Sequence, residues 1–486
     1  MGGGTPMFSV LAPIAASERV LALDVLRAIA LFAVFLINVE YFSRPLEAHG
    51  LGLEPGLAGI SYALAWSEYV FVEGKAWCLF ALLFGMGFAV MQERAQNTQR
   101  GFVAPYLRRI AMLLLLGVTH VALLWAGDVL HSYAFAAAVM LVMLYGRAWW
   151  LLLPVPAFAA ALLLVGGRGY LGGVIAFTLF AATAAWIRRG GVDRLWKAGA
   201  MLYMSPVVVI TAMTLPALMA PPSVETVAAR AGRIAQLQSE VVHATEVIRS
   251  GSYLDNLVLR VSDVLGDLPD ETRLLVAAVG LFLVGSWFVR AGVVRDLSRH
   301  RALLGRIAIA GLLVGLGLAL ASASIAIGLD AKRATLWTLA SQLMALAALP
   351  ASVGAACAVL WVLSAGVRLG WLAPAGRMAL SNYLMQSVVG TMVFYGYGAG
   401  LAGQIDRVGQ LLLVVVVFAL QLALSHWWLR HFRFGPVEWL WRAVTYLSWP
   451  PLRRAMDAVH VVQAREDLGR CRDLQSQANG PTCRGW

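Results

Sequence analysis

Apolar residues occur along this chain in stretches of about 20, separated by short polar linkers. A stretch of that length is long enough to cross the hydrocarbon core of a bilayer as a helix. The pattern predicts twelve spans, at 20–42, 70–92, 105–126, 130–146, 148–166, 170–187, 199–219, 273–290, 304–328, 335–365, 376–398 and 407–430. A half-span at 56–69 and a break near Pro350 widen the range to 10–13. We therefore predict an all-α, polytopic integral membrane bundle.

Basic residues concentrate in alternate linkers, at 93–109, 188–198 and 290–306, and in the segment after Arg430. Such linkers stay in the cytoplasm, so both termini are predicted to be cytoplasmic. The chain is 60% hydrophobic and 13% charged, whereas soluble proteins average about 25% charged residues. The net charge of +12 is spread over these linkers and forms no soluble basic domain, which excludes a nucleic-acid partner.

Four parts are predicted along the chain. They are an N-terminal transmembrane bundle with a polar path (1–219), a periplasmic helical hairpin (220–272), a C-terminal transmembrane bundle (273–430) and a cytoplasmic interfacial helix with a tail (431–486). The hairpin follows from an amphipathic pattern that is interrupted at 250–252. It is either a cap over the bundle or a lid over a substrate site.

Span one carries a stripe of polar residues. Asp24 and Arg27 are spaced to pair on one helix face. Asn38 follows Arg27 by eleven positions, which places it within about 20° of the same face and about 16 Å further along. The stripe indicates a polar path into the membrane, although Asp24 and Arg27 can equally form a structural ion pair.

Span three repeats this arrangement, with Arg108 and Arg109 at its start and His120 deep inside it. Ionisable groups at membrane depth indicate function by default. An imidazole accepts and returns a proton near neutral pH, and a carboxylate such as Asp128 can orient it. On a straight helix the two are about 12 Å apart, so they meet only if the helix ends near Gly127 and the chain folds back. The alternative is a buried histidine that is hydrogen-bonded to a neighbouring helix.

Other polar side chains interrupt apolar spans and are candidate substrate-binding groups. They are Glu73, Lys75, Tyr133, Asn382, Tyr383 and Gln386. Lys75 has an alternative explanation, in which its amine reaches the membrane interface. The polar groups of the span at 376–398 have another, as hydrogen bonds between helices.

Several of these stretches together resemble the YeiB-like family of bacterial inner-membrane proteins, a domain of unknown function. The resemblance rests on LDVLRAIALFAVFLINVEYF, EGKAWCLFALLFGMGFA, RRIAMLLLLGVTHVALLWAGDVLHSYA, RSGSY, GRMALSNYLMQS and FRFGPVEWLWR. It extends from residue 19 to about 454, with Ala28 where the family usually has glycine. The resemblance implies a multi-pass protein of the bacterial inner (plasma) membrane.

The first span more distantly resembles heparan-α-glucosaminide N-acetyltransferase and the transmembrane acyltransferase superfamily. That resemblance implies acyl transfer from cytosolic acyl-CoA, such as acetyl-CoA, by a histidine and an asparagine within the membrane. Asn38 matches the asparagine by position, while His120 is the favoured histidine and His49 the alternative. Asp128 would assist them. The implied CoA-binding groups at the cytoplasmic mouth are Asp24, Arg27, Arg108 and Arg109.

The leading hypothesis is a transmembrane acyltransferase acting on a periplasmic or lipid-linked glycan or another small acceptor. The alternative is a transporter or exporter of a small metabolite, proton-coupled through Asp24, His120 and Asp128. The expected partners are the lipid bilayer and the acceptor, with no metal. The sequence is compatible with a homodimer but does not fix the oligomeric state.

Overall fold

A computed structural model of the chain describes residues 20–54, 56–165, 168–220, 222–267, 271–325 and 332–454. These residues form a bundle of α-helices. The helices are α1 (Leu21–Ser43), α2 (Gly59–Phe71), α3 (Lys75–Asn97), α4 (Val103–Leu123), α5 (Leu130–Tyr145), α6 (Val155–Leu164), α7 (Arg168–Arg188), α8 (Asp193–Met219), α9 (Val224–Ser250), α10 (Tyr253–Asp267), α11 (Glu271–Arg290), α12 (Arg301–Ile325), α13 (Ala334–Ser364), α14 (Ala373–Arg377), α15 (Ala379–Phe394), α16 (Arg407–His431) and α17 (Pro436–Tyr446).

Within these described residues, nine helical segments are long and apolar enough to cross a membrane, the longest combining α2 and α3. Shorter apolar helices, among them α5, complete the bundle. The predicted all-α polytopic membrane fold is therefore confirmed. The expected span at 148–166 is divided, because a 3-10 helix ends at Leu152 and α6 begins at Val155. In contrast, α13 runs without a break through Pro350.

A tight turn between α2 and α3 brings Glu73 towards the middle of the bundle. The two helices correspond to the expected half-span at 56–69 and the span that follows it. Gly74 has a φ of +72°, a left-handed conformation that glycine adopts without steric cost. The direction of the chain therefore changes within three residues, and α3 begins at Lys75.

The chain folds back between α4 and α5. The backbone amides of Leu124 and Trp125 both donate to the carbonyl of His120, which ends α4. Asp128 then accepts the amide of Leu130 at 2.9 Å, as a capping carboxylate does at the start of a helix. Gly117 allows α5 to approach closely, because a Cβ there would collide with the backbone nitrogen of His131.

The turn between α9 and α10 contacts the rest of the bundle, while most of α9 is exposed. The amide of Gly396, beyond α15, donates to the carbonyl of Ile248 at 2.7 Å. The hydroxyl of Tyr253 donates to the carbonyl of Leu123 at 2.8 Å. The hairpin turn therefore packs over the end of α4. The expected tail beyond residue 454 lies outside the described residues.

Candidate functional site

One cavity of about 730 Å³ lies inside the bundle, which is a typical size for a small-molecule site. Helices α1 and α4 run along it in the same direction. Their far ends meet where the ring of Phe42 lies 4.4 Å from that of Trp125, centroid to centroid. A residue near the start of either helix is therefore at one end of the cavity, and a residue near the finish is at the other.

The first end is basic, and we call it the arginine end. The described arginines that line the cavity are Arg27, Arg109, Arg377, Arg433 and Arg442. Arg27 and Arg109 lie near the starts of α1 and α4, and Arg377 belongs to α14, which packs on α1. Arg433 precedes α17, and Arg442 belongs to it. Two acidic residues, Asp24 and Glu438, line the same end. Five guanidinium groups and two carboxylates leave an excess of positive charge there.

The contacts of these arginines are of different kinds. Arg27 donates to Asp24 at 2.7 Å, so the expected ion pair forms. The guanidinium of Arg109 lies over the ring of Trp441, 4.0 Å from its centroid, and the indole N–H donates to the carbonyl of Arg109 at 2.9 Å. A cation on an aromatic face keeps its hydrogen-bond donors available for an anion.

Glu438 fixes α17 against the start of α15. Its Oε1 accepts the amides of Leu380 and Ser381 at 2.8 and 3.0 Å. Burial raises the pKa of Glu438, which the hydrogen bonds from Ser381 and Leu380 partly offset. This carboxylate caps a helix, and it positions the segment that supplies Arg433 and Arg442.

The opposite end contains carboxylates, and we call it the carboxylate end. Its acidic lining residues are Glu73, Asp128 and Glu271, accompanied by Asn38. Asn38 is 9% exposed, and neither of its side-chain groups has a hydrogen-bond partner among the described residues. A buried amide that faces a cavity without a partner is a ready ligand-binding group.

Asp128 is the centre of a polar network at this end. Its Oδ1 accepts the hydroxyl of Tyr383 at 3.1 Å and lies 3.1 Å from Nδ1 of His120. Its Oδ2 lies 3.4 Å from Nδ1 of His131. Burial alone would raise the pKa of Asp128, but the contacts with the two imidazoles hold it below its usual range. Asp128 is therefore an anchored carboxylate in the turn before α5.

His131 connects Asp128 with a second carboxylate. Its Nε2 lies 3.6 Å from Oε1 of Glu271, the first residue of α11. Ser132 donates to Oε2 of Glu271 at 2.9 Å, which fixes the other oxygen. Asp128, His131 and Glu271 form a chain of titratable groups, and both of its carboxylates line the cavity.

The other two histidines at this end, His120 and His49, occupy different positions. His120 is buried behind Asp128 and does not line the cavity. Neither of its ring nitrogens makes a hydrogen bond of good geometry among the described residues, although Nδ1 lies 3.1 Å from Asp128. The ring of His49 stacks on Tyr41, a cavity residue, with centroids 3.6 Å apart. Burial lowers the pKa of His49 to about 4, so its imidazole is neutral at neutral pH.

The remaining predicted residues divide into two groups. Tyr133 and Tyr383 line the cavity, and Tyr133 donates to the carbonyl of Trp77 at 2.8 Å. Arg108 does not line the cavity and donates to the carbonyl of Thr445. Lys75 does not line it either, with its amine on the carbonyl of Tyr69 and the sulfur of Met344.

Asn382 and Gln386 lie between α15 and α16 rather than on the cavity. Asn382 donates to the hydroxyl of Ser425 at 3.1 Å, and Gln386 donates to Gln421 at 2.9 Å. These contacts are hydrogen bonds between helices, the alternative considered from the sequence. No group of three metal-ligating side chains occurs in the described part of the chain.

Sequence reasoning missed several residues of this site, namely His131, Glu271, Arg377, Arg433, Glu438 and Arg442. Most of them lie in the stretches that carry the family resemblance, GRMALSNYLMQS, FRFGPVEWLWR and the segment around DVLHSY. Their position within these stretches was the sequence feature that could have identified them as site residues. Glu271 lies in none of them, and only its position at a helix start marks it.

The fold and the site define a polytopic helical membrane protein with an internal cavity of divided charge. The family described as "Protein of unknown function (DUF418)" matches residues 288–448. "Uncharacterized protein YxaH" of Bacillus subtilis (strain 168) is 30% identical over 463 residues, covering 92% of this chain and 99% of that protein. "Uncharacterized protein YeiB" of Escherichia coli (strain K12) is 27% identical over 448 residues, covering 89% and 98%. The chain belongs to this YeiB-like DUF418 family. No solved structure matches it significantly.

Proposed function

We propose that this protein is a membrane-embedded acyltransferase. It would move an acyl group from an acyl-CoA such as acetyl-CoA to a hydroxyl or amine of an acceptor. The observation that carries the proposal is the division of charge within one cavity, with arginines at one end and carboxylates with Asn38 at the other. A polyanionic donor and a nucleophilic acceptor require these different surroundings at the two ends of one space.

The arginine end suits the phosphates of the donor. Guanidinium groups bind phosphate oxygens through charge-assisted hydrogen bonds, often two at a time. The middle of the cavity is apolar, with Phe80, Phe84 and Leu113 among its lining residues. A long neutral arm can lie along this section, so that the thioester reaches the carboxylate end while the phosphates stay with the arginines.

The carboxylate end suits the chemistry of transfer. The acceptor oxygen or nitrogen attacks the thioester carbonyl as its proton passes to a base, and the resulting oxyanion needs a hydrogen-bond donor. The amide of Asn38 is a donor without another partner among the described residues. Collapse of the intermediate breaks the carbon–sulfur bond, and the thiolate takes the proton and leaves as free CoA.

His120 acts in this scheme through Asp128, since the carboxylate separates it from the cavity. It is therefore a positioning residue, and its Asp128 contact keeps that carboxylate ionised and oriented. His49 stays an alternative histidine, because a rotation of Tyr41 would bring its neutral imidazole to the cavity. Separate His49 and His120 variants distinguish the two assignments.

The proposal locates the protein in the bacterial inner membrane with the arginine end in the cytoplasm, which the basic linkers and the family resemblance support. The acceptor would then be a periplasmic or lipid-linked glycan or a similar molecule. Every group named above belongs to one chain, so the proposed site is the same in a monomer and in a homodimer.

The test is binding and turnover of labelled acetyl-CoA by the purified protein, with two adjacent arginines as a matched pair. Arg109→Gln removes a guanidinium that lines the cavity, whereas Arg108→Gln removes one that does not. We expect saturable binding in the wild type, a loss of about tenfold or more in Arg109→Gln, and near wild-type affinity in Arg108→Gln. A wild type that binds no acyl-CoA would refute the proposal.

A second candidate function is proton-coupled transport of a small metabolite. The chain of Asp128, His131 and Glu271 supports it, because such arrays carry protons in transporters. Flux in proteoliposomes that depends on a pH gradient, without acyl-CoA binding, would favour transport over transfer.

A further inference from the structure

We propose that Glu271 is the catalytic base of the transfer, and that His131, held by Asp128, is the positioning residue that orients it. This inference rests on the proposed function. It assigns the reaction to a carboxylate from α11, although the sequence points to the buried imidazole of His120 in α4.

Access to the cavity is the first reason. A base must reach the proton that it removes within hydrogen-bond distance. Glu271 lines the cavity and its side chain is 35% exposed, whereas the side chain of His120 is 1% exposed and lies behind Asp128. Of these two groups, Glu271 is the one that meets an acceptor without a rearrangement of the backbone.

Occupancy of the carboxylates is the second reason. Both oxygens of Asp128 are taken, Oδ1 by Tyr383 and Oδ2 by the amide of Leu130 and the ring of His131. Glu271 has one oxygen on Ser132, at 2.9 Å, and the other 3.6 Å from His131. The second contact is long enough for an incoming hydroxyl or amine to compete for that oxygen.

The connection to His131 is the third reason. The ring of His131 lies between the carboxylates of Asp128 and Glu271, which favours its protonated form, so it orients Glu271 through a charge-assisted contact. Asp128 contacts the Nδ1 side of the ring, which leaves Nε2 directed towards Glu271. A carboxylate behind an imidazole stabilises the imidazolium and fixes the ring.

The rigidity of this group has a local cause. His131 and Ser132 are on the first turn of α5, which Asp128 caps and Gly117 allows to lie against α4. Glu271 begins α11, where a carboxylate is also favoured by the helix dipole. The elements therefore hold the three side chains in one arrangement before a substrate binds.

In the proposed step, one proton moves from the acceptor to the departing CoA by way of Glu271. The acceptor hydroxyl or amine gives its proton to Glu271, and its oxygen or nitrogen forms a bond to the thioester carbon. His131 keeps its own proton and its contact with Glu271 while the tetrahedral intermediate exists. When the carbon–sulfur bond breaks, the proton passes from Glu271 to the departing CoA thiolate, and the carboxylate of Glu271 returns to its first state.

The experiment compares Glu271→Gln, Glu271→Asp and His131→Gln in purified protein, with Glu93→Gln as the matched control. Glu93 is also a carboxylate with a partner, Arg295, but it does not line the cavity. Acetyl-CoA binding and acyl transfer are measured on the same samples. We expect Glu271→Gln to lose about 100-fold or more in transfer with donor affinity within about twofold of wild type.

The remaining variants test the roles separately. Glu271→Asp should recover part of the activity, and His131→Gln should lower the rate and shift the acidic limb of the pH–rate profile. The groups that face Glu271 there are His131 and Ser132 from α5 and Asp128 from the turn. Glu93→Gln should transfer at the wild-type rate.

The outcomes separate this inference from the proposed function. If acyl-CoA binds and Glu271→Gln transfers at more than about a quarter of the wild-type rate, Glu271 is not the base, and the acyltransferase proposal stands. If the wild type binds no acyl-CoA, both proposals fail together.

Discussion

His120 and Asp128 face each other across the turn between α4 and α5, with Nδ1 of the imidazole 3.1 Å from Oδ1 of the carboxylate. Only Asp128 lines the cavity. The histidine that the sequence favours is therefore one contact away from any substrate, and its influence must pass through Asp128 or through the neighbouring rings of Tyr383 and Trp125. The following predictions test this relationship and others on which the site depends.

Replacing His120 with phenylalanine removes a partner of Asp128 while filling most of the buried space. The 3.1 Å contact with a buried carboxylate is lost. Losses of contacts with charged groups cost on the order of 1.5–3 kcal/mol, so we expect transfer to fall about tenfold or more. The loss should appear in kcat rather than in the KM for acyl-CoA. Because the contact holds the pKa of Asp128 down, its loss should move the acidic limb of the pH–rate profile to higher pH. An unchanged profile would show that His120 has no role through Asp128.

Gly117→Ala should destabilise the protein, because the added methyl collides with the backbone of His131. Overpacking of this kind costs about 1–3 kcal/mol, which we expect as a lower thermal midpoint in detergent. Gly317→Ala is the matched control in α12, where a Cβ has no neighbour within 4 Å. It should be neutral or slightly stabilising, since alanine favours helix by about 1 kcal/mol over glycine. Equal midpoints for the two variants would contradict the close packing of α4 and α5.

Arg407→Met should be among the more damaging single changes in the chain. The guanidinium of Arg407 is buried and pairs with Glu40, and its Nη1 lies 3.5 Å from Glu68. Removal of one partner from a buried pair costs about 3–5 kcal/mol when it leaves an uncompensated charge. Glu40 keeps a second partner, Arg44 at 2.8 Å, so we expect a loss at the lower end of that range. Unfolding in detergent measures the loss.

Arg295→Met provides the comparison for that loss. Arg295 pairs with Glu93, but its side chain is 56% exposed, so the change should cost less than about 1 kcal/mol. A similar destabilisation by both variants would mean that the burial of Arg407 does not determine its contribution.

The pH dependence of stability should contain a component from His49. Burial holds its pKa at about 4, against an ordinary value of 6.5. A lowered histidine pKa stabilises the fold fully above 6.5, and this stabilisation is lost as the pH falls towards 4. At about 1.4 kcal/mol per pH unit, the loss is at most about 3 kcal/mol. Thermal midpoints between pH 7 and pH 4 should fall less steeply in His49→Phe, and parallel curves would contradict the assignment.

Hydropathy was sufficient to predict the helices, because a membrane requires long apolar stretches whose backbone bonds are internal. The predicted 407–430 is α16, Arg407–His431, and 20–42 is α1, Leu21–Ser43. The prediction was less accurate for α8, which begins at Asp193 rather than at 199. A polar first turn is compatible with a helix that extends beyond the apolar region, and hydropathy cannot locate its start.

The site was only partly predictable from the sequence, for a geometrical reason. Spacing along one helix correctly places Arg27 and Asn38 on a shared face, and both line the cavity. Spacing cannot say how a helix is rotated against its neighbours, so Arg108 was chosen together with Arg109 although only Arg109 lines the cavity. Contacts between distant segments, such as His131 with Glu271, depend on the packing of α5 against α11.

The opposite charges at the two ends of the cavity also impose a direction. An elongated ligand with one anionic end has a single favourable orientation in such a field, with its anion at Arg109 and its other end at Asn38. Reversal would place the anion among Glu73, Asp128 and Glu271. If the proposed acyl transfer takes place in this cavity, it therefore has a fixed direction, and the way in which the chain is inserted into the bilayer decides which compartment supplies the ligand.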